Sequence, residues 1–253
     1  MSALKKFIPA LKRWFSLPTL VLAMVAFSQT AAAQVSINVG DDLFSPQRMI
    51  QLTLLITLLS LAPSILMMVT SFVRIIVVFS FLRTALGLQT TPPNAVLVSL
   101  ALFLTLFIMT PTFEVAWQDG IRPYMNERID EEAAFKKTVA PFHKFMRENV
   151  REKDVELFLD IAKTPAIEKP EDVPLQVLIP AFMISELRRA FEIGFLIFLP
   201  FLVIDLAVAS ILMAMGMMML PPVIISLPFK IIFFVLIDGW YLLAGSLVES
   251  FNR

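Results

Sequence analysis

The residues of this sequence that could carry chemistry are charged side chains inside apolar stretches. The stretch 180–222 opens with a short charged cluster and continues as a long apolar run that contains one acid, and a single lysine interrupts the next apolar run. A charge in hydrocarbon is costly, so such residues pair with one another or mark a functional path. The candidates for buried ion pairs are Glu186, Arg188, Arg189, Glu192, Asp205 and Lys230.

Lys230 needs an acidic partner because it lies far from either end of its apolar run, where snorkelling is not possible. We expect Glu186 to be that partner, within one chain or between adjacent subunits, with Glu192 or Asp205 as the next candidates. Two alternatives stay open at this point. The charges could belong to an ordinary transmembrane helix with snorkelling arginines, or they could form an ion or proton path in a secondary transporter or channel.

Enzymatic chemistry is not indicated. The chain has no cysteine, seven glycines and one histidine, His143, so neither a nucleophile with its base nor a phosphate-binding loop is recognisable. The carboxylates near 186–192 belong to a charge-balanced cluster, which ion pairing explains better than catalysis. We therefore predict no catalytic residue, no metal site and no cofactor. The net charge of zero gives no basic face for nucleic acid.

The composition is that of a membrane protein. Hydrophobic residues make up 58% of the chain and charged residues 17%, and the mean hydropathy is +0.79. Several apolar runs approach or exceed the roughly 20 residues that cross a bilayer as a helix. The predicted fold class is all-α, a polytopic membrane protein with a small extracytoplasmic helical segment.

The first 33 residues have the pattern of a cleavable signal peptide. Four basic residues precede the short apolar stretch 15–27, and three alanines at 31–33 follow it. Cleavage between Ala33 and Gln34 is expected, with an uncleaved signal anchor as the alternative. The remaining predicted segments are an N-terminal linker at 34–48, a first helical hairpin at 49–117, a periplasmic helical segment at 118–175 and a second hairpin with a methionine-rich loop at 176–253.

The segment 118–175 contains two amphipathic helices. Their apolar residues recur at three- and four-residue spacings, first around 135–146 and then around 155–162. Two short helices bury little core alone, so their apolar faces need a partner surface. That partner is either the other helix of the pair or a neighbouring subunit. The candidate subunit contacts are Phe145 and Phe158.

A run of methionines follows the long apolar stretch. Gly216 frees the backbone to leave the helix, and the double proline 221–222 prevents its continuation. We therefore expect Met217, Met218 and Met219 to lie on a loop between two helices. Without further information, packing of the hairpin end is the simplest role for their side chains.

Four separated segments carry recognisable motifs. Two of them are PAFMISELRRAFEIGF at 180–195 and VIDLAVASILMAMGMMMLPP at 203–222. The other two are TTPPNAVLVSLALFLTLFIMTPTF at 90–113 and APFHKFMRENVREKDVELFLDIAK at 140–163. In order and spacing, the four segments resemble the FliP family of flagellar export-gate proteins, of which the first two are the signature regions, and the resemblance extends from about residue 41 to the C-terminus.

The resemblance implies a function that composition alone does not give. It implies bent helical hairpins assembled in a ring-like oligomer. That oligomer would be a pentamer of this chain, joined to copies of FliQ and one FliR, in the bacterial inner membrane at the flagellar basal body. Unfolded flagellar proteins would pass through the centre of this gate, which works with other export-apparatus proteins. The loop with Met217, Met218 and Met219 would form a gasket that closes the pore. The resemblance thus favours an export gate over an ion or proton transporter.

Overall fold

The computed structural model describes residues 46–163, 170–217 and 219–251. The predicted signal peptide, its expected cleavage point between Ala33 and Gln34, most of the linker, and Met218 lie outside these residues. The chain divides into two compact units, residues 1–58 and 59–253. Only the first part of one helix is described in the first unit, and the account below concerns the second.

The regular elements in the described part of the chain are all helical. Their order is α1 (Pro46–Met68), α2 (Phe72–Ala85), α3 (Asn94–Val115), a π-helical turn (Ala116–Ile121), α4 (Arg122–Met125), α5 (Glu131–Asn149), α6 (Glu152–Ile161), a 3-10 turn (Pro170–Asp172), α7 (Leu175–Ala214), α8 (Pro222–Leu236) and α9 (Gly239–Glu249). The prediction of an all-α class is confirmed.

Three helical stretches are long and apolar enough to cross a membrane: Arg48–Met68, Asn94–Met125 and Leu175–Ala214. The pair α8 and α9 qualifies as a fourth if it counts as one span, although it is bent by 62°. At 1.5 Å per residue, the 40 residues of α7 extend about 60 Å, roughly twice the thickness of the hydrocarbon layer. One part of α7 can therefore lie in the membrane while its first part packs on the amphipathic helices α5 and α6.

Helix α2 is the centre of the larger core. Its residues Ile75, Val78, Phe79 and Leu82 follow helical spacing and are all buried. This face packs along α7, and α3 also contacts α2. With 14 residues, α2 is about 21 Å long, too short to span a bilayer. The region 49–117, predicted as a first helical hairpin, contains residues of the three helices α1, α2 and α3.

A second core forms where α5 and α6 pack against the first part of α7. Phe145 and Met146 of α5 meet Leu178 and Phe182 of α7 there. Asp130 caps the N-terminus of α5, since its side chain accepts a hydrogen bond from the backbone N–H of Ala133. The two amphipathic helices predicted for this segment are confirmed.

Helix α7 ends in a left-handed turn at Gly216, where φ is +74°. The backbone N–H of Met217 donates to the carbonyl of Leu212 at 2.9 Å, and that of Gly216 donates to Met213 at 3.0 Å. These two bonds close the helix as a Schellman motif. Residues 215–221 connect α7 to α8, so the prediction that the methionines lie on a loop is confirmed for Met217 and Met219.

The bend between α8 and α9 has a local steric cause. Asp238 adopts a left-handed conformation with φ 51° and ψ 52°. A Cβ atom on the next residue, Gly239, would lie 2.1 Å from the ring of Phe234, so only glycine fits against that ring. The turn lets α9 fold back onto the core, where Leu243 and Leu247 are buried.

Candidate functional site

A fully buried ion pair joins α2 to α7. Arg74 and Glu186 are both 0% exposed. Arg74 Nε donates to Glu186 Oε2 at 2.8 Å, and Arg74 Nη2 donates to Glu186 Oε1. This bidentate geometry gives each charge the compensation that burial requires.

Arg74 also contacts the two residues that follow α9, Ser250 and Phe251. Its Nη1 donates to the hydroxyl of Ser250 at 2.8 Å and to the carbonyl of the same residue at 3.4 Å. The ring of Phe251 lies over the guanidinium, with the Cζ atom 3.6 Å from the ring centroid. One arginine therefore connects α2, α7 and the residues after α9.

A second polar cluster joins α2, α7 and α8. Lys230 Nζ donates to Asp205 Oδ2 at 2.5 Å and to the carbonyl of Ala85 at 3.2 Å. The hydroxyl of Ser226 donates to Asp205 Oδ1 at 2.5 Å. Ala85 is the last residue of α2, so the ammonium group lies at the negative end of that helix, where it satisfies a free carbonyl.

The expected pair between Glu186 and Lys230 is wrong within this chain. Glu186 pairs with Arg74, and Lys230 pairs with Asp205. Glu186 and Asp205 lie on the same continuous helix, about 28 Å apart along its axis, so a lysine on α8 that reaches one cannot reach the other.

Arg74 is the site residue that sequence reasoning missed. It is not among the candidates for buried ion pairs named from the sequence. The signal that could have found it is a lone arginine inside the apolar stretch 72–79, with the same need for a buried partner as Lys230.

The other three charged candidates lie nearer the surface. Arg188 Nε donates to Glu192 Oε1 at 2.9 Å, one turn apart on α7, and both side chains are more than half exposed. Arg189 is half-buried. An exposed pair of this kind contributes about 0.3–0.5 kcal/mol.

A third polar cluster ties α6 to α7. Arg151 makes a bidentate ion pair with Asp154, at 2.9 Å from Nε and 2.7 Å from Nη2, and Ser185 Oγ donates to Asp154 Oδ2 at 2.5 Å. Burial of Asp154 acts to raise its pKa, but the hydrogen bonds from Ser185 and Arg151, with the charge of Arg151, outweigh it and hold the pKa below its ordinary value. The carboxylate is therefore ionised at neutral pH and keeps both helices together.

The two predicted subunit contacts lie on the chain's own core. Phe145 is only 9% exposed. Its ring packs edge to face on Phe182, with centroids 5.9 Å apart, and stacks on Phe251 at the same distance. Phe158 is half-buried against the same cluster. The amphipathic helices therefore share this cluster with each other and with α7, and contact of Phe145 or Phe158 with a neighbouring subunit stays a prediction.

The methionine loop projects from the end of the α7–α8 hairpin. Met219 is 98% exposed and Met217 is 43% exposed, and Leu220 beside them is also exposed. Apolar, flexible side chains at an exposed tip are suited to contact with changing partners.

Groups of three or more His, Cys, Asp or Glu side chains that could hold a metal ion are absent from the described residues. What the three polar clusters can do is structural: they neutralise charges and join helices. None of them places a nucleophile, a base and a substrate cavity together.

Comparison with known proteins places this arrangement in a family. A sequence model described as the FliP family matches residues 55–247. The chain belongs to the FliP family. The match covers the helices from the second half of α1 to α9, and with them both buried ion pairs and the methionine loop.

Individual relatives agree with this assignment over nearly the full length. Flagellar biosynthetic protein FliP of Caulobacter vibrioides is 54% identical over 237 residues, which is 94% of this chain and 89% of the relative. The protein of the same name from Rhizobium meliloti is 55% identical, over 92% of this chain and 98% of its own. That of Bacillus subtilis is 54% identical, over 80% of this chain and 91% of its own.

Proposed function

We propose that this chain is a core subunit of the flagellar type III protein export gate. It would form, with its neighbours, the channel through which unfolded flagellar proteins cross the inner membrane. The observation that carries the proposal is membership of the FliP family, with relatives named as flagellar biosynthetic proteins that match almost the whole chain.

The methionine loop fits the gasket of such a channel. In a ring of subunits, the loops at the tips of the α7–α8 hairpins would converge on the axis. Their side chains are apolar enough to exclude water and ions, and unbranched methionines can move apart around a passing polypeptide. Met217 and Met219 are exposed, which leaves them available for this contact.

Assembly with other proteins is supported by the apolar surface of the chain. The aromatic residues Phe103, Phe107, Phe191 and Phe195 are all more than half exposed on α3 and α7. Such a surface must meet lipid or other membrane helices. We propose that part of it contacts further copies of this chain in a pentamer, together with FliQ and FliR, at the flagellar basal body.

The topology belongs to the same proposal. A cleaved signal peptide puts the mature N-terminus outside the cytoplasm, and the segment 118–175 then lies in the periplasm, with the methionine loop toward the cytoplasm. The bent α8–α9 pair and the charges on α2 and α7 support helices packed in an assembly, because both features are less costly in protein than in lipid.

The alternative of an ion or proton transporter is not supported by the comparisons. The geometry gives a simpler account of the intramembrane charges as well. Glu186 and Asp205 are each paired with a base, about 28 Å apart along α7, so they do not form a continuous relay.

The test is loss of export when this chain is removed from its own bacterium. Deletion of its gene should abolish secretion of flagellar proteins and swimming, and a plasmid copy should restore both. Secretion of a protein that uses the general secretory route serves as the control and should not change. Flagella that still assemble without this chain would contradict the proposal.

A further inference from the structure

Helix α6 carries three acids on one exposed face. Glu152, Glu156 and Asp160 follow each other at four-residue spacing, and we refer to them as the α6 row. Like charges at this spacing repel each other and destabilise the helix that carries them. Asp160 adds to this cost because it lies in the last turn, at the negative end of the helix dipole. With Lys153 beside it, the row still keeps a net negative charge.

Helix α5 carries a row of the opposite charge. Lys136, Lys137 and Lys144 are exposed and lie within about 100° of each other around the helix axis, and we refer to them as the α5 row. Glu132 lies one turn before the row and Glu148 one turn after Lys144, so the positive charge is limited to the stretch 136–144.

The two rows are not paired within the chain. In the part of the chain that the structure describes, the acids of the α6 row, Lys136 and Lys137 take part in no ion pair. Lys144 lies 3.8 Å from Glu148, but both side chains are more than half exposed, so this pair contributes little. Both rows therefore remain free for a contact outside the chain.

Exposed apolar side chains accompany each row. Phe135 on α5 and Ile161 on α6 are each about two-thirds exposed, and Leu157 on α6 is about half exposed. An apolar centre bordered by charged residues is the usual composition of a protein interface. Phosphate groups of lipid or nucleic acid would be repelled by the α6 row, so the matching surface is a protein with exposed bases.

We propose that the α6 row of one copy of this chain docks on the α5 row of the next copy. The rows are complementary in charge, with three acids facing three lysines. They lie on different helices, so the contact joins two different surfaces of the same chain. Contacts of this heterologous kind close into a ring when the rotation between copies allows it. The inference rests on the proposed function, which places copies of this chain side by side.

The test reverses the charge of each row and measures self-association of the full-length chain in detergent. Native mass spectrometry of a dilution series gives the concentration at which half of the chain is in oligomers. Lys136→Glu with Lys137→Glu should raise that concentration about 25-fold, or about fivefold for each charge. Glu156→Lys with Asp160→Lys should have the same effect. All four substitutions in one chain should restore association, because opposite charges then face each other again.

The matched control is Arg122→Glu with Arg128→Glu, which changes the net charge as the α5 variant does, at exposed residues outside both rows. Its association should equal that of the original chain. The α6 variant should stay folded, because basic residues suit the last turn of a helix. An increase in salt from 0.15 M to 1 M shortens the Debye length from about 8 Å to about 3 Å. It should weaken association of the original chain and strengthen that of the variants with one reversed row.

Three results would overturn the proposal. If the chain with four substitutions associates no better than those with two, the rows do not face each other. If the control loses association equally, net charge is responsible. If the row variants keep their oligomers and lose only secretion of flagellar proteins, the rows contact another component, and the proposed function stands. An original chain that forms no oligomer would instead contradict the pentamer itself, and this contact with it.

Discussion

At the scale of single residues, the charges inside apolar helices act in pairs. Arg74 with Glu186 and Lys230 with Asp205 each join elements that are far apart in sequence. In each pair the base also donates a hydrogen bond to another group. Arg74 donates to the hydroxyl of Ser250, and Lys230 donates to the backbone carbonyl of Ala85. Removing one member of such a pair leaves the other buried without compensation, which typically costs about 3–5 kcal/mol.

We therefore expect Arg74→Leu to destabilise the chain strongly, because it strands the carboxylate of Glu186. The loss should be about 3–5 kcal/mol. Arg74→Leu combined with Glu186→Leu should recover most of that loss, since two apolar side chains replace the pair. The measurement is thermal unfolding of the detergent-purified variants.

Arg188→Leu is the matched control on the same helix. It breaks an exposed pair with Glu192, so its effect should stay within about 0.5 kcal/mol. A double variant no more stable than Arg74→Leu alone would show that Glu186 does not depend on Arg74. Equal effects of Arg74→Leu and Arg188→Leu would also contradict the account.

At the scale of elements, the side-chain contacts that hold α7 to α8 lie away from the loop that connects these two helices. The hairpin is held by Asp205, Ser226 and Lys230, which lie on the two helices away from the loop. The loop itself is closed by backbone hydrogen bonds at Gly216 and has exposed methionine side chains. Shortening the loop should therefore leave the helices in place.

Deletion of Met217, Met218 and Met219 separates the two interpretations of the loop. If the methionines form a gasket, the complex should assemble, conduct ions across a planar bilayer and slow growth in high salt. Met125→Ala removes a methionine that is exposed on α4, and it should not add conductance. An assembled complex without added conductance would disprove the gasket, and loss of the assembled complex would assign the loop to packing.

At the scale of the whole molecule, the chain has a core of its own and a large apolar exterior. The core forms where α2, α5 and α6 pack on α7. The exterior includes exposed aromatic side chains on the membrane-length helices. A distinction follows between residues that stabilise the chain itself and residues free to contact other subunits.

Phe145 belongs to the first group and Phe135 to the second. Phe145→Ala should lower the stability of the isolated chain by about 3–5 kcal/mol, because it removes a ring buried against Phe182 and Phe251. Phe135 is 67% exposed on the same helix, so Phe135→Ala should change the stability of the chain little. Thermal unfolding in detergent and native gels should be measured together.

The opposite result would support the prediction that Phe145 is a subunit contact. If Phe145→Ala left thermal unfolding unchanged and reduced only the oligomer on native gels, this ring would be a subunit contact. If Phe145→Ala lowered the stability of the chain no more than Phe135→Ala does, the ring of Phe145 would not be part of the core.

Local patterns in the sequence were enough to predict several elements. The spacing of apolar residues gave the amphipathic helices α5 and α6, and Gly216 with the following prolines gave the loop after α7. Both rest on interactions between residues close in sequence, such as hydrogen bonds within a helix and the conformational limits of proline and glycine. Hydropathy likewise gave the membrane class.

The partners of the buried charges could not be predicted in the same way. The sequence by itself determined that Lys230 and Glu186 need compensation, because burial of a charge is costly wherever it occurs. Only the tertiary structure decided that Arg74 and Asp205 supply it, and that Phe145 packs on α7. These contacts join residues far apart in sequence, so their choice depends on how the helices pack: α2 is buried against α7, and 28 Å of helix separates the two acids.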